Sequence, residues 1–80
     1  MSAAYWTHDP TPAELLPIGS RIRDTNHPEL TGRIKGWEYQ RPHVLSAIPY
    51  LIEWDDSSLA HRLRGFLFVY SSGRDIEAVA

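Results

Sequence analysis

The sequence predicts an all-β fold, a small five-stranded barrel preceded by an extended N-terminal arm. Short apolar segments alternate with turn-forming residues from residue 19 onward, which is typical of strands joined by tight loops. The chain has only 80 residues, and a sheet of that size is best protected by closing on itself, because closure removes exposed strand edges.

Residues 1–18 differ in composition from the rest and are interpreted as the arm. They contain no lysine or arginine but three of the six prolines, and each proline disfavours helical backbone at the residue before it. The apolar residues expected to anchor the arm, on the barrel or on a neighbouring copy, are Tyr5, Trp6, Leu15 and Leu16. The predicted division of the chain is therefore an arm over 1–18 and a barrel over 19–80.

Five strands are predicted within the barrel. Isoleucines alternate with charged residues in the first two, as expected for strands with one buried face, and Gly36 predicts a bulge in the second. The predicted ranges are 20–23, 32–40, 48–54, 65–70 and 75–79. Residues 59–63, between the third and fourth of these, fit either a loop or a helical turn. The residues predicted to face the core are Ile22, Ile34, Tyr50, Ile52, Trp54, one face of Phe66, Phe68 and Tyr70, and Ile76 with Val79.

Composition excludes several classes of protein. The chain has no cysteine, which excludes a disulfide scaffold, a thiolate zinc site and a cysteine nucleophile. No apolar segment approaches the length of about 18 residues that a membrane span needs, and the N-terminus lacks the features of a signal peptide. We therefore expect a cytoplasmic protein with no membrane association.

Basic residues of the first two strands form one candidate binding surface. They are Arg21, Arg23, Arg33 and Lys35. With Ile22 and Ile34 facing inward, the two-residue period of a strand places all four on the outer face. Such a patch could bind phosphates or an acidic partner; alternatively, it forms cross-strand ion pairs, with Glu53 as one partner. The net charge of −2 favours a protein partner over nucleic acid, which stays as an alternative.

Aromatic residues supply two further candidates. Trp37 and Tyr39 follow Gly36, and if they face outward they could stack on a base or surround a cation; the alternative is a place in the core. The predicted fourth strand is apolar on both faces, which predicts that the arm or a second copy of the chain covers one of them. The candidate self-association residues are Phe66, Leu67, Phe68, Val69 and Tyr70.

Neither catalytic nor metal-binding residues are predicted. The four histidines have no metal-ligand spacing, and no cofactor motif is present. A Ser-His-Asp arrangement around His61 would lie on one turn of the chain, without the geometry or oxyanion donors that such chemistry needs.

Four motifs of the barrel segment mostly define turns and core positions. They are Gly19-x-Arg21-Ile22, Thr31-Gly32-Arg33-Ile34, residues 49–56, and Ile76-Glu77-x-Val79. In these motifs the segment resembles SH3-like small barrels, including Tudor-type domains and a family of small actinobacterial proteins of unknown role. The resemblance covers about residues 18–79. It implies an SH3-like barrel that acts as a binding module.

A narrower resemblance is to the plasmid-borne, trimethoprim-insensitive (type B) dihydrofolate reductases, which are tetramers of SH3-like chains and use NADPH. Val69 and Tyr70 match the last residues of that family's active-site strand. Asp24 stands where the family has a lysine, and Phe68 stands where it has a glutamine. A carboxylate at the lysine position would repel the phosphates of NADPH. The expected function is therefore a non-enzymatic binding or assembly module without a cofactor, and the reductase is an alternative.

Overall fold

The computed structural model describes residues 15–37 and 50–79. In this part of the chain, five antiparallel strands form one sheet that curls into a half-barrel. The elements are β1 (Arg21–Asp24), β2 (Thr31–Trp37), β3 (Tyr50–Trp54), α1 (Ser57–Arg64), a 3₁₀ turn (Gly65–Leu67), β4 (Tyr70–Ser71) and β5 (Ile76–Ala78). Across the sheet the order is β4-β3-β2-β1-β5. The predicted all-β small-barrel class is confirmed.

The two-residue period of the strands builds the core. In β1, β2 and β3 the buried isoleucines alternate with exposed charged residues, so one face of the curled sheet is apolar and the other is charged. The buried hydrophobic residues are Leu15, Ile22, Leu30, Ile34, Tyr50, Ile52, Trp54, Ala60 and Ile76. Six of the predicted core residues, those from Ile22 to Trp54 together with Ile76, are therefore confirmed.

Glycines shape β2 in two ways. The register of β2 against β3 shifts between Ile34 and Gly36, which confirms the predicted irregularity at Gly36. Gly32 instead permits a close approach of the two strands, because a Cβ atom there would lie 2.6 Å from the carbonyl oxygen of Glu53. The strands β2 and β3 can lie this close together at Trp54 only because residue 32 has no side chain.

The predicted fourth strand, residues 65–70, is wrong over most of its length. Asp56 caps α1 by accepting a hydrogen bond of 3.0 Å from the backbone N–H of Leu59. The helix ends at Gly65, whose φ of 71° most residues avoid, and the 3₁₀ turn follows. Only Tyr70 of the predicted range joins the sheet. Residues 59–63 are thus helical, which resolves the alternative that the sequence left open.

Two core predictions are wrong, that for Phe66 because of the helix and that for Val79 because β5 ends at Ala78. Phe66 lies on the 3₁₀ turn with 86% of its surface exposed, and Val79, beyond the end of β5, is 39% exposed. Phe68 and Tyr70 are half-buried. A regular alternation of aromatic residues was expected to form a strand, but the capped helix before it changes the direction of the chain.

The last residues of the predicted arm pack on the sheet. Leu15 is buried in the core. The N–H of Leu16 donates to the hydroxyl of Tyr50 at 2.9 Å, and the indole N–H of Trp37 donates to the Leu16 carbonyl at 2.9 Å. The other predicted anchors, Tyr5 and Trp6, lie outside the described residues.

Candidate functional site

The predicted basic patch lies on the outer face of the sheet, where its arginines form ion pairs. Arg33 donates to Glu53 at 3.0 Å across the β2–β3 register, and Arg23 pairs with Glu77 on β5. Arg21 makes a two-pronged contact with Asp55, with nitrogen–oxygen distances of 2.6 and 3.2 Å. Within residues 15–37 and 50–79, Lys35 forms no ion pair.

One carboxylate of the outer face, that of Asp55, has a pKa well below its usual value. The hydrogen bonds from Arg21, and then from the hydroxyl of Thr31 at 2.6 Å, lower the pKa of Asp55 from its usual 3.8 to about 2. Asp55 is therefore an anion throughout the physiological pH range. The three arginines of the outer face are thus paired with carboxylates, as the cross-strand alternative predicts, and Lys35 is not.

Of the two candidate aromatics, Trp37 supports the fold. It is half-buried against the core, and its indole N–H is already used by Leu16. A stacking or cation-binding role would need an open face of the Trp37 ring. Here the ring packs against the core and its N–H is bound to the backbone of Leu16. Tyr39 lies outside the described residues.

The five candidate self-association residues divide into two groups. Phe66 and Leu67 are exposed, at 86% and 46%. Phe68 packs on the core and beside the ring of His61, with 5.4 Å between ring centroids. The carbonyl of Val69 accepts from Ile52, and Tyr70 begins β4. We call the exposed pair, Phe66 and Leu67, the apolar knob.

A pocket of about 380 Å³ opens beside the apolar knob. It lies where the β1–β2 loop, the end of α1 and the β4–β5 turn meet, and we call it the seam pocket. Leu67 belongs both to the knob and to the pocket wall. The other residues that line it are Asp24, Asn26, His27, Leu63, Arg64, Tyr70, Ser71, Ser72, Arg74 and Asp75.

A buried ion-pair cluster forms one wall of the seam pocket. The Arg64 side chain is only 6% exposed, and it donates to Asp24 at 2.7 Å and lies 2.8 Å from a carboxylate oxygen of Asp75. It also donates to the carbonyl of Tyr70 at 2.8 Å, and its guanidinium carbon lies 4.9 Å from the centroid of the Trp54 ring. We call Arg64 with its two carboxylates the Arg64 cluster.

The Arg64 cluster connects elements that are not hydrogen-bonded to each other in the sheet, β1 and β4. Asp24 is the last residue of β1, Arg64 ends α1, and Asp75 precedes β5. The carbonyl of Tyr70 lies on β4, which among the described strands pairs only with β3. One guanidinium therefore links β1, β4 and the β4–β5 turn, where a closed barrel would have a strand ladder.

Sequence reasoning did not find the Arg64 cluster. In the sequence, Asp24 stands out only as the residue at a lysine position of the reductases, and no pattern marks Arg64. The two residues are 40 positions apart, and nothing in their local patterns distinguishes them from exposed charges. The one available signal was Asp56, a strong N-cap residue, which would have predicted α1 and brought Arg64 toward the sheet.

Comparisons with known proteins do not assign the chain to a family. The fold defines the class, a small all-β domain with one short helix. No protein-family model, curated protein or solved structure matched the chain. Within the described residues, no histidine and carboxylate groups are arranged to hold a metal ion, and no helix is long and apolar enough to cross a membrane.

Proposed function

We propose that this protein is a small non-enzymatic binding module whose partner is another protein, contacted through the apolar knob. The observation that carries the proposal is the exposure of Phe66, 86% of whose surface is open to solvent. Large apolar side chains exposed together next to a pocket are typical of protein-interaction surfaces.

The apolar knob is held in a fixed conformation, which favours binding. The 3₁₀ turn is closed by a hydrogen bond of 3.1 Å from the N–H of Phe68 to the carbonyl of Gly65. The carbonyl of Phe68 in turn accepts from the buried Trp54 indole. Since these bonds fix the backbone of the turn, a partner that binds here loses little free energy to ordering that backbone.

The alternatives have less support. Nucleic-acid binding depends on Arg21, Arg23, Arg33 and Lys35. The three arginines are paired with carboxylates, so that of the four only Lys35 is without an ion pair among the described residues, which leaves little free charge for phosphates. A reductase-like activity would place its cation at position 24, where a buried aspartate is bound by Arg64.

Peptide selection tests the proposal without a known partner. The immobilised chain is presented with a random library of displayed 12-residue peptides, and the affinities of selected peptides are then measured by fluorescence anisotropy. We expect Phe66→Ser and Leu67→Ser each to weaken binding at least tenfold. Val79→Ser serves as the matched control, because Val79 is also an exposed apolar residue but lies beyond β5, and it should leave the affinity unchanged.

Two results would contradict the proposal: selection of no peptide, or affinities that neither knob substitution alters. Thermal unfolding of each variant checks that the fold is intact, which we expect because both side chains are exposed. Sedimentation velocity across a concentration series identifies a second copy of the chain as the partner, if assembly occurs in the wild type and is lost in Phe66→Ser.

A further inference from the structure

We infer that the seam pocket binds an acidic side chain of the partner, next to an apolar side chain of the same segment that packs on the apolar knob. This inference rests on the proposed function and specifies the chemistry of the partner. It follows from the charged groups of the pocket, in which both carboxylates are in use and one of the two guanidinium groups has no partner among the described residues.

The two carboxylates of the pocket are in use. One carboxylate oxygen of Asp24 accepts from the backbone N–H groups of Asn26 and His27, at 2.7 and 3.0 Å, and the other accepts from Arg64. One oxygen of Asp75 accepts from the hydroxyl of Ser71, and the other lies 2.8 Å from Arg64. A cationic ligand would therefore have to displace Arg64 from the pair of carboxylates.

Four other polar side chains of the pocket are not engaged. Within residues 15–37 and 50–79, no hydrogen bond or ion pair involves the side chains of Asn26, His27, Ser72 or Arg74, all of which line the pocket. Asn26, His27 and Ser72 can donate or accept, whereas Arg74 can only donate, and its guanidinium can bind a carboxylate through two parallel hydrogen bonds. The guanidinium left for a ligand thus complements a carboxylate.

Arg74 is the cation of the pocket that has no carboxylate partner among the described residues. It is exposed on the β4–β5 turn, next to the Arg64 cluster, whose two carboxylates are already engaged. On the outer face Arg21, Arg23 and Arg33 each have a carboxylate partner, whereas Lys35 there and Arg62 on α1 have none among the described residues. An acidic group from outside would give Arg74 the kind of contact that the three outer-face arginines have.

The rest of the pocket is apolar and continuous with the apolar knob. Leu63, Leu67 and Tyr70 line it, and Phe66 adjoins Leu67 on the 3₁₀ turn. A segment with an acidic residue beside an apolar one fits this arrangement, because the carboxylate reaches Arg74 while the apolar side chain covers Leu67. The apolar contact supplies most of the affinity, and the charge supplies specificity.

The peptide selection described above also tests this inference. We expect the selected 12-residue peptides to be enriched in Asp or Glu next to Leu, Phe or Ile. For one such peptide, replacing the acidic residue with its amide should weaken binding about three- to tenfold, the range for a partly exposed charged hydrogen bond. Arg74→Gln should weaken binding of the acidic peptide to the same extent and leave binding of the amide peptide unchanged.

Arg62→Gln is the matched control, because Arg62 is exposed on α1 but does not line the pocket, and it should have no effect. The inference is overturned if selected peptides lack acidic residues, or if Arg74→Gln and Arg62→Gln have the same effect on peptide affinity. If Leu67→Ser still weakens peptide binding in that case, the proposed function stands. Selection of no peptide overturns both. A single-stranded oligonucleotide that binds through Arg74 in place of acidic peptides would also overturn it.

Discussion

Arg64 is a buried charge held by two carboxylates and a backbone carbonyl, although its Nε has no hydrogen-bond partner. Its side chain is 6% exposed and that of Asp24 is 3% exposed. Removing one member of such a pair leaves the other charge buried without compensation, which costs far more than the loss of an exposed pair. Lysine could not replace the arginine, because three acceptors are reached here by one planar guanidinium.

We expect Arg64→Met to lower the free energy of unfolding by about 3 kcal/mol, because it leaves Asp24 as an unpaired buried carboxylate. Urea unfolding followed by tryptophan fluorescence measures the change. The control is Arg62→Met on the exposed face of the same helix, which should change the free energy by less than about 0.5 kcal/mol. Equal effects of the two substitutions would show that the Arg64 cluster does not stabilise the fold.

The ion pair of Arg21 with Asp55 should make stability depend on pH at the acidic end. The pKa of Asp55 is lowered to about 2 from a usual 3.8, so the pair stabilises the folded state above about pH 4. That contribution is lost as the pH falls through about 2. It should stay below about 1 kcal/mol, because the Asp55 side chain is 48% exposed.

Carbon-detected NMR titration of Asp55 measures this pKa directly. Arg21→Gln should return it toward 3.8, since Arg21 is the largest cause of the shift. The unfolding free energies of the wild type and of Asp55→Asn should differ by a constant amount above pH 4 and converge toward pH 2. A pKa unchanged by Arg21→Gln would contradict the assignment.

For individual residues, the sequence predicts correctly which strand side chains face the core and which face solvent, because these directions follow from the alternation of residues along a strand. Ile22 and Ile34 face inward, and Arg33 and Glu53 face outward together, because successive side chains in a strand point to opposite faces. The pairing of Arg64 with Asp24 could not be predicted in this way. It depends on where α1 places its last turn, which is a property of the folded chain.

At the scale of elements, β2 approaches β3 closely at Gly32. A Cβ atom on Gly32 would lie 2.6 Å from the carbonyl oxygen of Glu53 and 3.0 Å from the Cα atom of Trp54. Both are backbone atoms of β3 and cannot move without shifting the strand. Gly36, four residues along the same strand, has nothing within 4 Å of such an atom.

These two glycines provide a paired test of the strand packing. Gly32→Ala should lower the free energy of unfolding by about 1–3 kcal/mol, the usual cost of overpacking. Gly36→Ala should change it by less than about 0.5 kcal/mol. Both are measured by urea unfolding under the same conditions. Similar values for the two variants would contradict the close approach of β2 and β3.

The elements also show why one part of the fold was predicted wrongly. The strands β1, β2, β3 and β5 were predicted near their observed positions because alternation and turn residues agree there. Between β3 and β4, the aromatic alternation favoured a strand, while the Asp56 cap and the terminating Gly65 favoured a helix. The capping signals determine the structure, and Phe66 is consequently at the surface.

For the molecule as a whole, the described end of the arm, residues 15–18, contributes to the core of the barrel. Leu15 is buried in that core, whereas Ile18, three residues later, is 59% exposed. Leu15→Ala should therefore lower the free energy of unfolding by about 2–4 kcal/mol, and Ile18→Ala should change it little. Equal effects, measured by urea unfolding, would mean that the arm contributes nothing specific to the fold.

The Arg64 cluster has a kinetic consequence. Neighbouring strands β1 and β2 meet across a short loop, whereas the contact of Arg64 with Asp24 spans 40 residues. Contacts distant in sequence are the costly ones to form early, so we expect the cluster to form after the transition state for folding. The stability lost in Arg64→Met should then appear as faster unfolding at a nearly unchanged folding rate. In that case the guanidinium that joins β1 to β4 acts mainly by prolonging the lifetime of the folded state.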